Sequence, residues 1–414
     1  MTKSKNNPGR GNTIRESNTM KVMEEIREKI RKAIKEGVSL REIEEIILQE
    51  AMMEEREAYL EVEDDHKNGT YFRYLGTGDG VLRLRVPRTR KGGFRPKILP
   101  EKYERTSPDY EDFLQQLVLS GMTPSQVKAV LAAKGIPYSE IVMNRVAERI
   151  SNKLKEYKSR ELPHDLLALY IDVKIVKVRI SESIMERAIY IAIGVDLEGN
   201  KFVLDYEVRD REDLDGWKSF LSGLVSRGVS RVDVIVSDDF SGLDRVVSTL
   251  FPSSQHQLCI THMVRNLMRV LPDKEKEELM IRVRDLKSSR KVEEGRKAIL
   301  SLSQLVQPFS PARAKRLLDA ADKYCSFLNF PREIRHYLYT NNTSESFNST
   351  LARFEEELGG YFPSLRSLEV YLYVSIHESN SRWKFRPMSV IRHYSYHLKQ
   401  LHASRFQVSL DEDF

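Results

Sequence analysis

The sequence predicts an α/β fold in which helices interrupt a mixed-sheet core and a mainly helical region precedes it. Strand-like apolar runs lie between residues 167 and 260, helical periodicity dominates 263–338, and basic residues cluster before residue 106. Two Cys residues among 414 exclude a disulfide framework. No apolar stretch approaches the roughly 18 residues of a membrane span. We therefore expect a cytoplasmic, non-membrane protein.

The N-terminal part predicts a tail followed by helices. Residues 1–18 are polar and predict a disordered tail. Residues 19–66 predict two helices, because Ile26, Ile30 and Ile34 recur at helical spacing and Ser39 can cap a second helix. These helices form either an ordinary helical hairpin or a surface that packs on a partner chain.

Residues 67–105 predict a basic β-ribbon. They carry eleven basic and three acidic residues, a local charge of +8 against +6 for the whole chain. The alternation from Val81 to Val86 separates leucines from arginines, as in a half-exposed strand. Such a ribbon can neutralise DNA phosphates, although an ordinary solvated hairpin is the alternative. The candidate DNA-binding residues are Arg83, Arg85, Arg88, Arg90, Lys91, Arg95 and Lys97.

Residues 106–160 predict three helices with tight turns, resembling a helix-turn-helix module. Thr123 and Pro124 favour the start of the second helix, and Ser139 can cap the third. The third would enter a major groove; a three-helix bundle without DNA is the alternative. Its apolar stripe is Val142, Val146, Ile150 and Leu154, and its candidate DNA contacts are Asn144, Arg145 and Arg149.

Residues 161–262 predict the first part of the core. Three antiparallel-prone strands, a helix, a strand, a helix and a last strand near Gln257–Ile260 follow the order of a ribonuclease-H-like core. In such a core, acids at the ends of the first and fourth strands are neighbours. Asp172 and Asp238 occupy those positions in the sequence. Paired carboxylates suit Mg²⁺, and two such ions can clamp both oxygens of a phosphoryl transfer.

A third carboxylate is predicted at the start of a later helix. Glu345 falls in the first turn of a helix that Asn342 or Thr343 can cap. Residues 263–338 predict an all-helical insertion before it, 339–383 the rest of the core, and 384–414 a C-terminal tail. The basic residues of the insertion are candidate contacts to flanking DNA, with a solvated basic face as the alternative: Arg282, Arg284, Lys287, Arg290 and Lys291.

The chain resembles the Mutator-type insertion-sequence transposases of bacteria and archaea over most of its length. The resemblance rests on Leu84–Arg88 with Gly93–Pro96, on Val236–Asp238, on Cys259-Ile260-Thr261-His262 followed by Arg265-Asn266, and on Thr340–Asn348. It implies a ribonuclease-H-like core, with Asp172, Asp238 and Glu345 as catalytic metal ligands for two Mg²⁺ ions that Mn²⁺ can replace. It also implies active-site support from Cys259, His262, Arg265, Asn266, Asn342 and Asn348.

Two further features concern the same region. Asp239 directly follows Asp238 and either shares the metal or adds repulsion that raises a carboxylate pKa. Cys259 and His262 form half of a zinc pattern, but no second such pair follows, so a closed tetrahedral zinc site is not expected. Trp217 and Trp383 are expected in the core.

The expected function is a DNA transposase that cleaves element ends and joins their 3′-hydroxyls to target DNA. Its partners would be double-stranded terminal inverted repeats and target DNA, bound as a homodimer or larger assembly in a prokaryotic nucleoid. The alternatives are a catalytically inactive DNA-binding regulator derived from a transposase and a metal-dependent nuclease.

Overall fold

The computed structural model describes residues 27–32, 34–101, 104–136 and 138–409. These residues form two compact units. The first contains the chain up to Val118 together with Pro124–Glu148, and the second contains Leu119–Thr123 together with the chain from Arg149 onwards. The predicted tail at 1–18, and the beginning of the predicted helices at 19–66, lie outside the described residues.

The first unit contains helix α1, Leu40–Leu60, which Ser39 caps as predicted. The Ser39 hydroxyl accepts from the backbone amide of Glu42, and the Glu42 carboxylate accepts from the backbone amide of Ser39 at 2.8 Å. This reciprocal arrangement satisfies two amides that the first turn would otherwise leave unpaired. Before it, residues 27–32 and 34–35 are helical.

An antiparallel hairpin follows, formed by β1, Lys67–Thr77, and β2, Gly80–Thr89. Leu82, Leu84 and Val86 are buried in a cluster with Met52 of α1. The arginines between them are exposed, so the predicted alternation is confirmed. The strands end at Thr89, and the paired ribbon is therefore shorter than the predicted segment 67–105.

Three helices complete the N-terminal part of the chain: α2, Pro108–Leu119, α3, Pro124–Ala133, and α4, Glu140–Ser159. The predicted apolar stripe of α4 is confirmed, because Val142, Val146, Ile150 and Leu154 are at most 4% exposed. The helix-turn-helix role of these helices remains a prediction. The division between the two units falls within α4.

The second unit is built on a five-stranded mixed sheet with the order β5-β4-β3-β6-β7. Strand β4 runs antiparallel to β3 and β5, whereas β3, β6 and β7 are parallel to one another. The strands are β3, Asp165–Ile180, β4, Ser183–Val195, β5, Lys201–Arg209, β6, Arg231–Ser237, and β7, Gln255–Leu258.

Two strand ends differ from the sequence prediction. Asp172 does not end its strand, because β3 continues to Ile180 alongside β4. The polar alternation after Val173 belongs to the same long strand, which a sequence pattern cannot distinguish from a second one. Strand β7 ends at Leu258 rather than Ile260, because Cys259 occupies the N-cap position of the next helix.

Helices α5, Leu214–Ser226, and α6, Leu243–Leu250, contribute to the main core of the sheet. Trp217 packs edge-on against Tyr190 of β4, with ring centroids 4.9 Å apart. Trp217 and Trp383 are both buried, at 2% and 5% exposed, so their prediction as core residues is confirmed.

All regular secondary structure in the predicted insertion is helical. Its helices bury apolar side chains that include Leu279, Val283 and Ile299. The helical stretch that begins at Pro311 is divided at Ala320 and ends in a 3₁₀ turn, Ser326–Asn329. The helices are α7, Ile260–Met268, α8, Asp273–Ser288, α9, Val292–Val306, α10, Pro311–Asp319, α11, Ala321–Cys325, and α12, Arg335–Leu338.

Two long helices, α13, Asn342–Glu357, and α14, Leu365–Lys384, return the chain to the sheet. The predicted C-terminal tail at 384–414 is wrong over most of its length. Residues 389–406 form α15, Ser389–His393, and α16, Ser395–Phe406. The segment lacks a clear apolar stripe because α16 docks partly through a polar residue, the fully buried His402.

Within the described ranges, the structure contains no helix with both the length and the apolar character needed to span a membrane.

Candidate active site

Asp172 and Asp238 occupy equivalent positions on two neighbouring parallel strands. The last parallel pair between β3 and β6 joins Tyr170 to Val236, and each aspartate lies two residues beyond that pair. Asp238 directly follows β6, as predicted. The parallel register therefore brings together two carboxylates that are far apart in the sequence.

Asp172 is buried, at 7% exposed, and two donors hold it. The amide of Asn348 donates to Oδ2 at 2.8 Å, and the backbone amide of Val173 donates to Oδ1 at 3.0 Å. Burial, followed by the charge of Asp238, raises the pKa of Asp172 to about 7 and outweighs these hydrogen bonds. The carboxyl group therefore titrates near neutrality in the metal-free protein.

Asp238 is paired with His262, whose Nδ1 faces the Asp238 carboxylate. Burial alone would lower the pKa of His262, but hydrogen bonds to Asp238 and Cys259 outweigh it and raise that pKa to about 10. The imidazole is consequently a cation beside the two aspartates. His262 lies in α7, close to the start of the predicted insertion.

Glu345 reaches the same edge of the sheet from helix α13. It lies in the first turn, as predicted, but the N-cap residue is Asn341 rather than Asn342 or Thr343. The side chains of Asn341, Glu345 and Asn348 share one helix face, because they are four and three residues apart. Asn341 donates to the carbonyl of Ile171 at 3.5 Å, and Asn348 donates to Asp172. Glu345 lies between them on this face of the helix.

Arg265 of α7 holds the Glu345 carboxylate in an ion pair of 2.7 Å. Three predicted supporting residues, His262, Arg265 and Asn348, therefore contact the predicted acids. Asn342 does not: it lines a different cleft with Thr343, Ser346 and Trp383. One helical residue step rotates a side chain by about 100°, which turns Asn342 away from the face of Asn341.

Asp239 is engaged by the helical insertion. The Arg316 guanidinium of α10 contacts both its carboxylate and its backbone carbonyl. Asn266 was predicted to support the site. Its backbone carbonyl accepts a hydrogen bond from Arg313 of α10 at 2.7 Å. A neighbouring carboxylate with a raised pKa was one of the two expectations for Asp239. The carboxylate concerned is Asp172, whose pKa is raised by its burial and by the charge of Asp238.

The two cysteines are both buried but have different surroundings. Cys259 precedes α7, and its ligand atom lies within 4.8 Å of those of Asp238 and His262. Cys325, in α11, packs beside Gly295 and Leu328, where burial raises the pKa of its thiol to about 12. The two thiols therefore do not belong to one cluster.

The predicted DNA-binding residues on the β1–β2 hairpin and in the segment that follows it are exposed. Arg83 and Arg85 lie over the ring of Phe72, at 4.1 and 5.6 Å from its centroid. Lys91 pairs with Asp64 at 2.9 Å. The exposed set is Arg83, Arg85, Arg88, Arg90, Lys91, Arg95 and Lys97.

The candidates on α4 are less uniform. Arg145 is half-buried and pairs with Glu104 at 2.9 Å and Glu111 at 3.0 Å. Asn144 and Arg149 are exposed, and both have interaction partners within the structure. Of the basic residues predicted on the insertion, Arg284, Arg290 and Lys291 are exposed, whereas Arg282 and Lys287 are half-buried.

Sequence reasoning missed Asn341, Arg316 and a buried polar cluster around His402. The last joins His402 to Asp233 at 2.7 Å and to Asp165 at 2.9 Å. Asn341 carried a signal, because it stands beside Asn342 in the same motif. The other two form their contacts across 77 or more residues of sequence, which no local pattern reveals.

Comparison with known proteins agrees with the resemblance seen in the motifs. The family model described as "Transposase, Mutator family" matches residues 13–385. The chain is 27% identical to the transposase for insertion sequence element IS905 of Lactococcus lactis subsp. lactis (strain IL1403), over 76% of this chain and 80% of that protein. It is 28% identical to the transposase for ISRM5 of Rhizobium meliloti (strain 1021), over 70% of this chain and 72% of that protein. The family match covers most of the sequence, and the chain therefore belongs to the Mutator family of transposases.

Proposed function

We propose that this protein cleaves the ends of an insertion sequence and joins the freed 3′-hydroxyl ends to target DNA by phosphoryl transfer. The observation that carries the proposal is that parallel register places Asp172 beside Asp238, while α13, which carries Glu345, contacts β3 through Asn341 and Asn348. We also propose that the sheet is a ribonuclease-H-like core, which its strand order and directions support.

The donor set fits Mg²⁺, which prefers oxygen ligands. Asp172, Asp238 and Glu345 would hold two such ions, and Mn²⁺ could replace them. The buried Oδ1 of Asn348 has no hydrogen-bond partner among the described residues, so the site retains a free oxygen beside Asp172. When bound, the ions would stabilise charge on the attacking and leaving oxygens of the phosphodiester.

The side chains of the protein have separate roles in this proposal. Asn348 and Val173 orient the Asp172 carboxylate, which must be ionised to act as a ligand. His262 is positively charged and can donate a hydrogen bond to a phosphate oxygen that approaches Asp238. Arg265 holds Glu345 in place and offers further donors to the phosphate backbone.

In this proposal, the β1–β2 hairpin, the segment that follows it and helix α4 bind the element ends. Exposed guanidinium groups on the hairpin can neutralise phosphates without reading the sequence, whereas exposed Asn144 and Arg149 can reach base edges. The exposed basic residues of the insertion would hold flanking DNA. Two ends must be joined, so we expect a dimer or larger assembly on DNA.

The test is Mg²⁺-dependent cleavage of DNA carrying the element ends, which sequencing around the gene would identify as flanking inverted repeats. Asp172→Asn, Asp238→Asn and Glu345→Gln should each lower cleavage by on the order of 10³-fold or more, with folding and end binding retained. Asp239→Asn is the matched control, because it removes an adjacent carboxylate that Arg316 already engages.

The outcomes separate the three functions. Normal cleavage by Asp238→Asn together with loss in Asp239→Asn would show that the second ligand is assigned one position too early. End binding without cleavage by the unmodified protein would indicate a DNA-binding regulator. Cleavage without joining of 3′-ends would indicate a nuclease.

A further inference from the structure

Asp238, Cys259 and His262 form a cluster of a different chemical kind from the proposed Mg²⁺ ligands. Each offers one ligand atom, and these atoms lie within 4.8 Å of one another. The set comprises one oxygen, one sulfur and one imidazole nitrogen, whereas the proposed catalytic set consists of carboxylates. Its composition therefore favours a different class of cation.

The backbone builds this cluster where two parallel strands end side by side. Ser237 is paired with Leu258, and the backbone amide of Cys259 donates to the carbonyl of Ser237 at 2.8 Å. These contacts place Asp238 and Cys259, the residues after each strand, next to each other. Cys259 is also the N-cap of α7, and His262 lies in the first turn of that helix. Strand pairing and helix geometry therefore converge on one point.

The cluster is open to solvent on one side. The side chain of Asp238 is 43% exposed and that of His262 is 21% exposed, whereas Cys259 is buried at 2%. A cation can therefore approach from the side of Asp238 and His262 and meet the sulfur at the base of the cluster. Three protein ligands with an open side match the arrangement of zinc sites that keep one position for water or substrate.

We propose that Asp238, Cys259 and His262 bind a Zn²⁺-class divalent cation, separately from the use of Asp238 in phosphoryl transfer. Thiolate and imidazole ligands select Zn²⁺ over Mg²⁺, which takes oxygen ligands and keeps its water. Binding releases to solvent the thiol proton of Cys259 and one of the two N–H protons of the His262 imidazolium, which frees the sulfur and one ring nitrogen to coordinate the cation.

Sharing of Asp238 has a consequence for the proposed reaction. A cation held by Cys259 and His262 would occupy the carboxylate that Mg²⁺ also requires, so the two occupancies compete. This consequence rests on the proposed function, whereas the binding itself does not. Binding is therefore tested without DNA, and its failure is distinguishable from a failure of the catalytic assignment.

The experiment titrates the reduced, chelator-treated full-length protein with Co²⁺, which replaces Zn²⁺ and reports sulfur ligation by a thiolate-to-metal absorption band. One Co²⁺ per chain should give this band. Equimolar Zn²⁺ should abolish it, and excess Mg²⁺ should not. Asp238→Asn should keep the band while weakening Co²⁺ affinity by about tenfold or more.

The two cysteines provide matched variants. Cys259→Ser should eliminate the thiolate band, and Cys325→Ser, which alters a buried thiol outside the cluster, should retain it. Circular dichroism tests whether both variants fold. If Cys259→Ser does not fold, His262→Gln serves in its place and should weaken Co²⁺ affinity by about tenfold or more. Absence of the band in the unmodified protein, or a band that depends on Cys325, would overturn the proposal.

Discussion

Arg83 and Arg85 of the hairpin are exposed to solvent and lie over one phenylalanine ring, whereas Asp172 of the sheet is 7% exposed and accepts two hydrogen bonds. The hairpin concentrates positive charge, whereas the edge of the sheet pairs its carboxylates with the cations of His262 and Arg265. In the hairpin, neighbouring charges are hydrated and screened by salt, so each contributes nearly independently. At the edge of the sheet, each acid depends on specific partners, so losing one group changes the state of the others.

The largest expected effect tests whether the acids act as one unit. Asp172→Asn and Asp238→Asn should each lower the cleavage rate by on the order of 10³-fold or more, and the double variant should be no slower than the worse single variant. Single-turnover cleavage of saturating end DNA measures this. Multiplicative losses would mean that these acids act independently, as the hairpin charges are expected to do.

The buried cluster around His402 extends the comparison to charge with a structural role. Both imidazole nitrogens contact carboxylates, of Asp233 and Asp165, so His402→Ala would remove a buried partner from each and leave them paired with Arg405 and Arg231, respectively. We expect the free energy of unfolding to fall by about 1–3 kcal/mol at pH 6, because each carboxylate loses one buried hydrogen-bond partner. Urea unfolding measures it, and His397→Ala, at an exposed position on the same helix, is the control.

The pH dependence of this loss follows from the raised pKa of His402. Burial lowers that pKa, but hydrogen bonds to Asp233 and the charges of both carboxylates raise it above its usual 6.5. The stabilisation is fully present below pH 6.5 and is lost as pH rises through the folded-state pKa. A loss that is equal at pH 6 and at strongly alkaline pH would contradict the charged state of His402.

Asp172 should show that a functional charge opposes stability. Its pKa is raised from 3.8 to about 7, so its contribution to stability is present in acid and lost as pH rises through 7. In metal-free protein at pH 8, Asp172→Asn should therefore increase the free energy of unfolding, by up to about 4 kcal/mol. Only below pH 3.8, where the carboxyl is protonated in both the folded and the unfolded state, should the two proteins differ little. Destabilisation at pH 8 would indicate that Asp172 has an unshifted pKa.

The hairpin should show the smallest effect and the most uniform one. Replacing Arg83, Arg85 and Arg88 with Ala should weaken binding of all DNA sequences alike and reduce the salt dependence by roughly 0.9 in logarithmic slope for each lost phosphate contact. Fluorescence anisotropy over a range of salt concentrations measures both. Lys29→Ala, which removes a cation already paired with Glu50, is the control. Unchanged binding by the triple variant would exclude the hairpin from the DNA interface.

Several features could be predicted because local chemistry determines them. The Ser39 cap, the alternating faces of β2 and the first-turn position of Glu345 depend on residues close in sequence. Hydrogen bonding and side-chain periodicity act over a few residues, so these patterns were read correctly. The candidate acids Asp172, Asp238 and Glu345 could be proposed from the sequence, because acids next to apolar strands or at a helix start are local features.

The tertiary structure decided what those residues contact. Parallel register places Asp172 beside Asp238, the contacts of α13 with β3 bring Asn348 to Asp172, and Arg265 of α7 pairs with Glu345. Arg316 engages Asp239 and His402 holds α16 against the sheet through contacts between residues distant in sequence. Such pairs form only when the chain folds, because burial and the approach of distant elements determine which polar groups meet. The local sequence therefore determined the elements and candidate acids, whereas packing determined their partners and pKa values.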